Sequence, residues 1–108
     1  MALQVASLSI EMIASLRPLV PRIKRHDRSL ADQLTRAASS VALNIAEAEY
    51  SDPGNRRARF YTAAGSANET LAALRVVVAW GYCPASEVDA AAVLVGRVIA
   101  MLWRLSRG

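Results

Sequence analysis

The chain has 108 residues, of which 54% are hydrophobic and 20% charged, and its formal net charge is +4 with a sequence pI near 10.0. This length predicts a single domain over residues 1–108, and the apolar content excludes an intrinsically disordered chain. Charged side chains interrupt every apolar stretch before it is long enough to cross a bilayer, which argues against a membrane protein.

The first predicted helix covers residues 3–25, where apolar residues recur at helical spacing. Pro18 lies inside it, and a proline removes one backbone hydrogen bond and crowds the preceding turn. We therefore expect the first helix to be kinked near Pro18 or broken into two pieces. The apolar stripe that would face the core is Leu8, Met12, Leu16, Leu19 and Ile23.

The second predicted helix covers residues 28–50, with Asp27 or Ser29 as its N-cap. Its apolar residues recur every three or four positions, which is typical of a helix with one buried face. We expect this face to be core: Leu30, Leu34, Ala37, Val41, Ile45 and Ala48.

The third predicted helix covers residues 53–80. Asp52 is placed as its N-cap, Pro53 as its first helical residue and Gly81 as its end. Its apolar residues alternate spacings of four and three over nearly three heptads: Phe60, Ala64, Ala67, Leu71, Leu74 and Val78.

The last predicted helix covers residues 86–105, with Ser86 as a cap. Its stripe is Val88, Ala91, Val95, Ile99 and Leu102. Four helices with short links predict an all-α fold, namely an antiparallel up-and-down four-helix bundle.

The third and fourth helices also carry apolar residues away from these stripes. A monomeric bundle would leave much of that surface in water, so the pattern favours a homo-oligomer. The residues concerned are Val76, Val77, Ala79, Trp80, Val93, Leu94, Val98, Met101 and Trp103.

The chain is poor in residues for catalysis or metal binding. His26 is the single histidine, and no residue near it in sequence completes a catalytic dyad. Cys83 is the single cysteine, without a second ligand at zinc spacing. We expect His26 to be a surface residue, Cys83 to be a small apolar residue at a helix end, and the protein to be neither an enzyme nor a holder of a metal or cofactor. The single cysteine and the lack of a secretion signal predict a cytoplasmic protein.

Arg36, Ser40, Asn44 and Glu47 are spaced four, four and three, which places them on one face of the second helix beside its apolar stripe. They have two interpretations. Either Asn44 and Glu47 are partly buried and bonded to neighbouring helices, or the row is a recognition surface.

Twelve of the thirteen basic residues are arginine, and two groups of them are close in sequence. Positive charge at the start of the third helix opposes the helix dipole, so pairing with Glu47 and Glu49 or binding of an anionic partner is expected. Phe60 and Tyr61 are the only aromatic residues near that group, which argues against base-specific recognition. The candidate RNA- or DNA-binding residues are Arg56, Arg57 and Arg59, with Arg22, Lys24, Arg25 and Arg28 as a second group.

The segment 34–47, which ends in Asn44-Ile45-Ala46-Glu47, resembles the signature of the bacterial four helix bundle protein family, also called the 23S rRNA intervening-sequence protein family. Further matches are Arg56, Arg57, Phe60, residues 64–71, and Gly81-Tyr82, so the resemblance covers about residues 8–105. Ala48 stands where the family usually has glycine, and Ala42-Leu43 where it often has Pro-Ser.

The resemblance implies a four-helix bundle that assembles into a five-fold ring, with no enzymatic activity. A related branch, the accessory variability determinant of diversity-generating retroelements, is a basic ring that binds a reverse transcriptase and nucleic acid. We therefore expect a pentamer that binds nucleic acid or a nucleic-acid-processing partner. The alternative is a structural or protein–protein adaptor that binds no nucleic acid.

Overall fold

The computed structural model describes residues 2–107, and their side chains from Gln4 onward. Within that part of the chain every regular element is a helix, which confirms the all-α prediction. None of the helices described is both long enough and apolar enough to cross a membrane. The five helices are α1 (Ala2–Leu16), α2 (Val20–His26), α3 (Arg28–Glu49), α4 (Pro53–Trp80) and α5 (Ala85–Arg107).

The first predicted helix, over residues 3–25, is broken into two pieces at Pro18, which is one of the two outcomes expected for it. Helix α1 ends at Leu16, the backbone N–H of Leu19 donates to the carbonyl of Leu16 at 2.9 Å, and α2 starts at Val20. Pro18 has no N–H with which to continue the α-helical ladder. Pro21 lies in the first turn of α2, where the missing donor costs nothing.

The other helix ends follow the predicted caps closely. The carboxylate of Asp27 accepts the N–H of Leu30, and that of Asp52 accepts the N–H of Asn55, each at 3.0 Å. Gly81 ends α4 in the left-handed conformation, with φ of 78°. The prediction for the last helix was slightly short, because α5 begins at Ala85 and Ser86 lies inside its first turn.

The core is one cluster to which all five helices contribute. Helix α4 lies between α3 and α5, while α1 packs against both α3 and α5, and α2 packs against α3. The predicted stripes are buried, except that Leu71, Val78 and Ile99 are half-buried at the edge of the cluster. Its largest fully buried side chains include Phe60, Met12, Ile23, Leu34, Ile45, Leu74 and Leu102.

Two apolar residues that were predicted to lie outside the core belong to it. Val77 on α4 and Val98 on α5 have no exposed surface. Because α4 is flanked by α3 and α5, it buries more than one face, which a single stripe does not describe. Of the residues predicted to lie away from the core stripes, Val76, Trp80 and Val93 are large apolar side chains that remain exposed, while Leu94, Met101 and Trp103 are half-buried. The other exposed large apolar side chains of the part of the chain described are Ile10, Leu43, Tyr50 and Tyr61.

Candidate functional site

The Arg56 cluster, which comprises Arg56, Arg57 and Arg59, lies in the first two turns of α4. Arg56 donates from Nε to the carbonyl of Ala48 at 3.3 Å and from a terminal nitrogen to that of Ser51 at 3.5 Å. It therefore caps carbonyls at the C-terminal end of α3.

Arg59 and Arg57 differ in their partners. Arg59 pairs with Glu47 on α3 at 3.1 Å. Glu47 is one of the two carboxylates that the sequence offered as partners of this cluster. Within residues 4–107, Arg57 makes no ion pair and its side chain is exposed. Arg57 is thus the member of this cluster best placed to meet an anion.

The α2 cluster, which comprises Arg22, Lys24, Arg25 and Arg28, surrounds the junction of α2 and α3. Arg22 forms an ion pair with Glu87 in the first turn of α5, which ties α2 to that helix. The other three side chains are exposed, and none of them pairs with a carboxylate in the part of the chain described. This cluster keeps more unneutralised charge than the Arg56 cluster.

The structure does not bring the two clusters together. Arg28 is the first residue of α3, and Arg56 bonds to the carbonyls at its other end. A helix of 22 residues is about 33 Å long at 1.5 Å per residue. The clusters therefore lie at opposite ends of a molecule whose longest dimension is 42 Å.

The polar row on α3 matches the first interpretation of the sequence only in part. Asn44 is half-buried, but it donates to the carbonyl of Ser40 at 2.9 Å and to its hydroxyl at 3.1 Å, within its own helix. The Ser40 hydroxyl in turn bonds that of Ser66 on α4 at 2.9 Å. Glu47 reaches α4 through Arg59 while remaining exposed, and Arg36 is exposed.

The aromatic residues are arranged differently from the sequence interpretation. Phe60 is 2% exposed and belongs to the core, so it cannot contact a nucleic acid. Tyr61 is 62% exposed and meets the ring of Trp103 on α5 edge to face, with ring centroids 5.5 Å apart. Trp103 is 42 positions from Tyr61 in sequence, so only the packing of α4 on α5 reveals the pair.

A second aromatic group lies beside the α2 cluster, and the sequence interpretation missed it. The rings of His26 and Tyr82 are stacked with centroids 4.9 Å apart, and Trp80 stacks on Tyr82 at 6.4 Å. Arg22, Arg25, His26 and Tyr82 line a shallow depression of about 310 Å³. The rings come from two segments more than 50 residues apart, which conceals them in the sequence.

His26 and Cys83 occupy the kinds of position expected for them. The imidazole is exposed and stacks on Tyr82, while Cys83 is 1% exposed just beyond the end of α4. Across residues 2–107, no three metal-ligating side chains are grouped as a metal site would require.

The break at Pro18 leaves an apolar groove of about 340 Å³ between α1, α2 and α3. Its walls include Ile13, Val20, Leu34 and Ala38, with Arg17 as the one charged side chain of its lining. Such a lining suits the apolar part of a partner better than a charged substrate.

The architecture and its charged ends define the class as a small helical-bundle protein. One solved structure shows the same fold: a protein with unknown function from the S23 ribosomal protein family of Bacteroides thetaiotaomicron. The two structures align with a TM-score of 0.88 at 19% sequence identity, and the alignment covers 96% of this chain and 99% of the other. No curated protein matches the sequence. The chain belongs to the family of 23S rRNA-intervening sequence proteins, whose model matches residues 1–104.

Proposed function

We propose that this protein is a non-enzymatic, oligomeric scaffold of the cytoplasm that binds RNA or DNA weakly and without sequence specificity. The single observation that supports this is the pairing of its charges. Of the thirteen Lys and Arg side chains, only Arg22 and Arg59 form ion pairs within residues 4–107. Unpaired cations at both ends of the bundle suit the phosphate backbone, which attracts basic proteins regardless of sequence.

The proposed architecture is an antiparallel four-helix bundle in which α1 and α2 together form the first arm. Contacts of Glu47 with Arg59, of Arg22 with Glu87 and of Tyr61 with Trp103 fit helices that reverse direction at each link. This arrangement would put Arg57 and the C-terminal Arg107 at the same end of the bundle.

Self-association is proposed from the apolar side chains that one copy leaves in water. Leu43 on α3 is 66% exposed and Val93 on α5 is 63% exposed. Leu43 also lies beside Arg36 and Asn44 along a surface depression. The polar row would therefore lie at the edge of the apolar contact that Leu43 makes with another copy. The resemblance noted above makes a pentamer the leading stoichiometry, and a ring would repeat each basic cluster around its rim.

A salt titration of labelled RNA and duplex DNA tests the proposal. Binding should weaken steeply as salt rises, because each phosphate contact releases counterions. Reversing Lys24, Arg25 and Arg28 to Glu together should reduce the slope of log K against log salt by about three, and Arg57→Glu by about one.

Arg97→Glu is the matched control. It makes the same change in charge as Arg57→Glu, but near the middle of α5, among residues such as Glu11 and Met101 and away from both clusters. An unchanged slope in the triple variant, or an equal loss in the Arg97 control, would contradict the proposed binding surface. Arg56→Glu is a poorer test because Arg56 also caps α3.

The adaptor function is the second candidate, and the apolar groove at the Pro18 break supports it. A protein partner would place an apolar side chain between Val20 and Leu34. Absence of RNA and DNA binding even at low salt would favour this function over the first.

A further inference from the structure

His26, Tyr82 and Trp80 form an aromatic stack on the surface, at the end of the molecule that carries the α2 cluster. The planes of His26 and Tyr82 are within 7° of parallel, and those of Trp80 and Tyr82 within 16°. Trp80 is 69% exposed, so most of its indole surface is open to solvent. An exposed indole leaves a large apolar area in water. The packing of a single chain gives no reason for that exposure.

The backbone holds Tyr82 in place. Gly81 takes the left-handed conformation after α4, its N–H bonds the carbonyl of Val78 at 2.9 Å, and the N–H of Tyr82 bonds that of Val77 at 3.0 Å. These two bonds form a Schellman motif. Because Cys83, the next residue, is buried, Tyr82 is anchored on both sides.

His26 is held from the other direction. It is the last residue of α2, and Asp27, which follows it, bonds to the backbone of Ile23 and caps α3. The ion pair between Arg22 and Glu87 fixes α2 against α5. The stack is therefore built at the C-terminal ends of α2 and α4, each of which is held by its own contacts, so its rings are arranged before any ligand arrives.

Cations lie beside two of these rings. Arg22 and Arg25 line the depression that contains His26 and Tyr82, and Lys24 and Arg28 are close in sequence on either side. A planar ring face beside guanidinium groups matches a ligand that joins a flat base to a phosphate. In a duplex the base faces are already stacked on one another and are not available.

We propose that the stack of His26, Tyr82 and Trp80 binds unpaired bases of single-stranded nucleic acid, while the α2 cluster contacts the adjoining phosphates. The inference rests on the proposed nucleic-acid function, which it deepens by naming the strand form and the contact to the base. Every base has a ring face, so this contact discriminates single strands from duplexes without reading sequence.

The test compares a short thymidine oligonucleotide with an abasic oligonucleotide of the same length, which has the same phosphates but no bases. The wild-type protein should bind the thymidine strand about tenfold more tightly than the abasic strand. Trp80→Ala should remove most of that difference while leaving affinity for the abasic strand unchanged. Tyr50→Ala is the matched control, since Tyr50 is 92% exposed and takes part in none of the aromatic pairs of the described chain.

Fluorescence gives a second readout that does not depend on affinity. In a Trp103→Phe background the emission comes from Trp80 alone. The thymidine strand should quench it, and the abasic strand should not. Circular dichroism of each variant checks that the helices are intact.

The outcomes separate the stack from the general binding surface. Equal affinity for the two strands, or a preference that survives Trp80→Ala, would overturn the stacking proposal while leaving phosphate binding in place. Binding of neither strand at low salt, together with no binding of RNA or duplex DNA, would overturn both proposals. Tighter binding of a duplex than of the thymidine strand would also contradict the stack.

Discussion

At the scale of single residues, Asp52 shows how one carboxylate starts a helix. It accepts the backbone N–H of Asn55 at 3.0 Å and the side-chain amide of the same residue at 2.7 Å. These bonds, the backbone one foremost, hold the pKa of Asp52 below its ordinary value of 3.8 because they favour the ionised form. The cap at the start of α4 is therefore strongest when Asp52 is charged.

Asp52 should make a measurable share of the acid dependence of stability. The unfolded chain takes up this proton at higher pH than the folded chain. The contribution of the cap is therefore complete above about pH 4 and is lost as the pH falls through the lowered folded pKa. Asp52→Asn should flatten this dependence while keeping a capping oxygen, and Asp52→Ala should lower stability at neutral pH as well. Urea unfolding across this pH range measures both, and identical acid profiles for wild type and Asp52→Asn would refute the assignment.

Two glycines should respond to alanine with opposite signs. Gly81 has φ of 78°, where a Cβ is strained, so Gly81→Ala should cost about 1–2 kcal/mol of unfolding free energy. Gly96 lies inside α5, where a Cβ would meet no atom within 4 Å, so Gly96→Ala should stabilise the protein by about 0.5–1 kcal/mol. Thermal and urea unfolding compare the two. Destabilisation by both variants to a similar extent would contradict this explanation.

At the scale of the elements, small residues set how closely α4 approaches the helices that pack against it. Ala63, Ala64 and Ala67 on α4 have no exposed surface, and Ala48 on α3 has none either. Alanine adds little side-chain volume between two helix backbones, so larger residues there would push the helices apart. The hydroxyl bond between Ser40 and Ser66 joins α3 to α4 and depends on how closely these two helices approach.

A larger side chain at a buried alanine of α4 should therefore destabilise the bundle. Ala67→Leu adds three carbons where there is no exposed surface, and we expect a loss of about 1–3 kcal/mol from overpacking. Ala72→Leu is the control, because Ala72 is exposed on the same helix and should change stability by less than about 0.5 kcal/mol. Equal effects in urea unfolding would show that the spacing is not fixed by these alanines.

Local rules predict most of the helix ends and core faces. Asp27, Asp52 and Gly81 carry their signals in their own side chains or in the lack of one, so α3 and α4 were predicted within one residue at each end. The burial of Val77 and Val98 was not predicted, because it depends on which helices flank α4 and α5. Pro18 indicated an interruption, and only the structure shows a complete break.

The same division applies to the candidate site. The basic residues and their possible pairing with Glu47 are visible in the sequence, but only the fold shows that Arg56 acts as a cap and that Arg59 is the residue paired with Glu47. Likewise, Trp80, Tyr82 and His26 become a stack only after α2 and α4 meet at one end of the bundle. Contacts between residues that are distant in sequence therefore decide which basic side chains are bonded within the fold. The remaining basic side chains are the ones that can bind a partner.

At the scale of the whole molecule, the two basic clusters lie about 33 Å apart along α3, so one copy cannot present them as one surface. Assembly would change this by repeating each cluster around a ring. Several weak contacts to one nucleic acid would then act together, and their joint affinity would exceed that of a single copy by a factor of about 100 or more. If this is correct, the oligomeric state and nucleic-acid affinity are coupled.

Leu43→Lys separates the coupling from simple charge. Leu43 is 66% exposed, so the change should not unfold a single copy, and it adds a positive charge that by itself would strengthen binding. If Leu43 lies between copies, the oligomer should dissociate, because burying the charged lysine at the interface is unfavourable. Native mass spectrometry should then show smaller species, and RNA affinity at low salt should fall at least tenfold with a shallower salt slope, despite the added charge. Tyr50→Lys adds the same charge at a side chain that is 92% exposed, and should keep the oligomer and bind RNA at least as tightly as the wild type. If the Leu43→Lys oligomer dissociates but the variant binds RNA as tightly as Tyr50→Lys, each copy binds independently and the coupling is wrong. If the Leu43→Lys variant remains assembled, Leu43 is not at the interface.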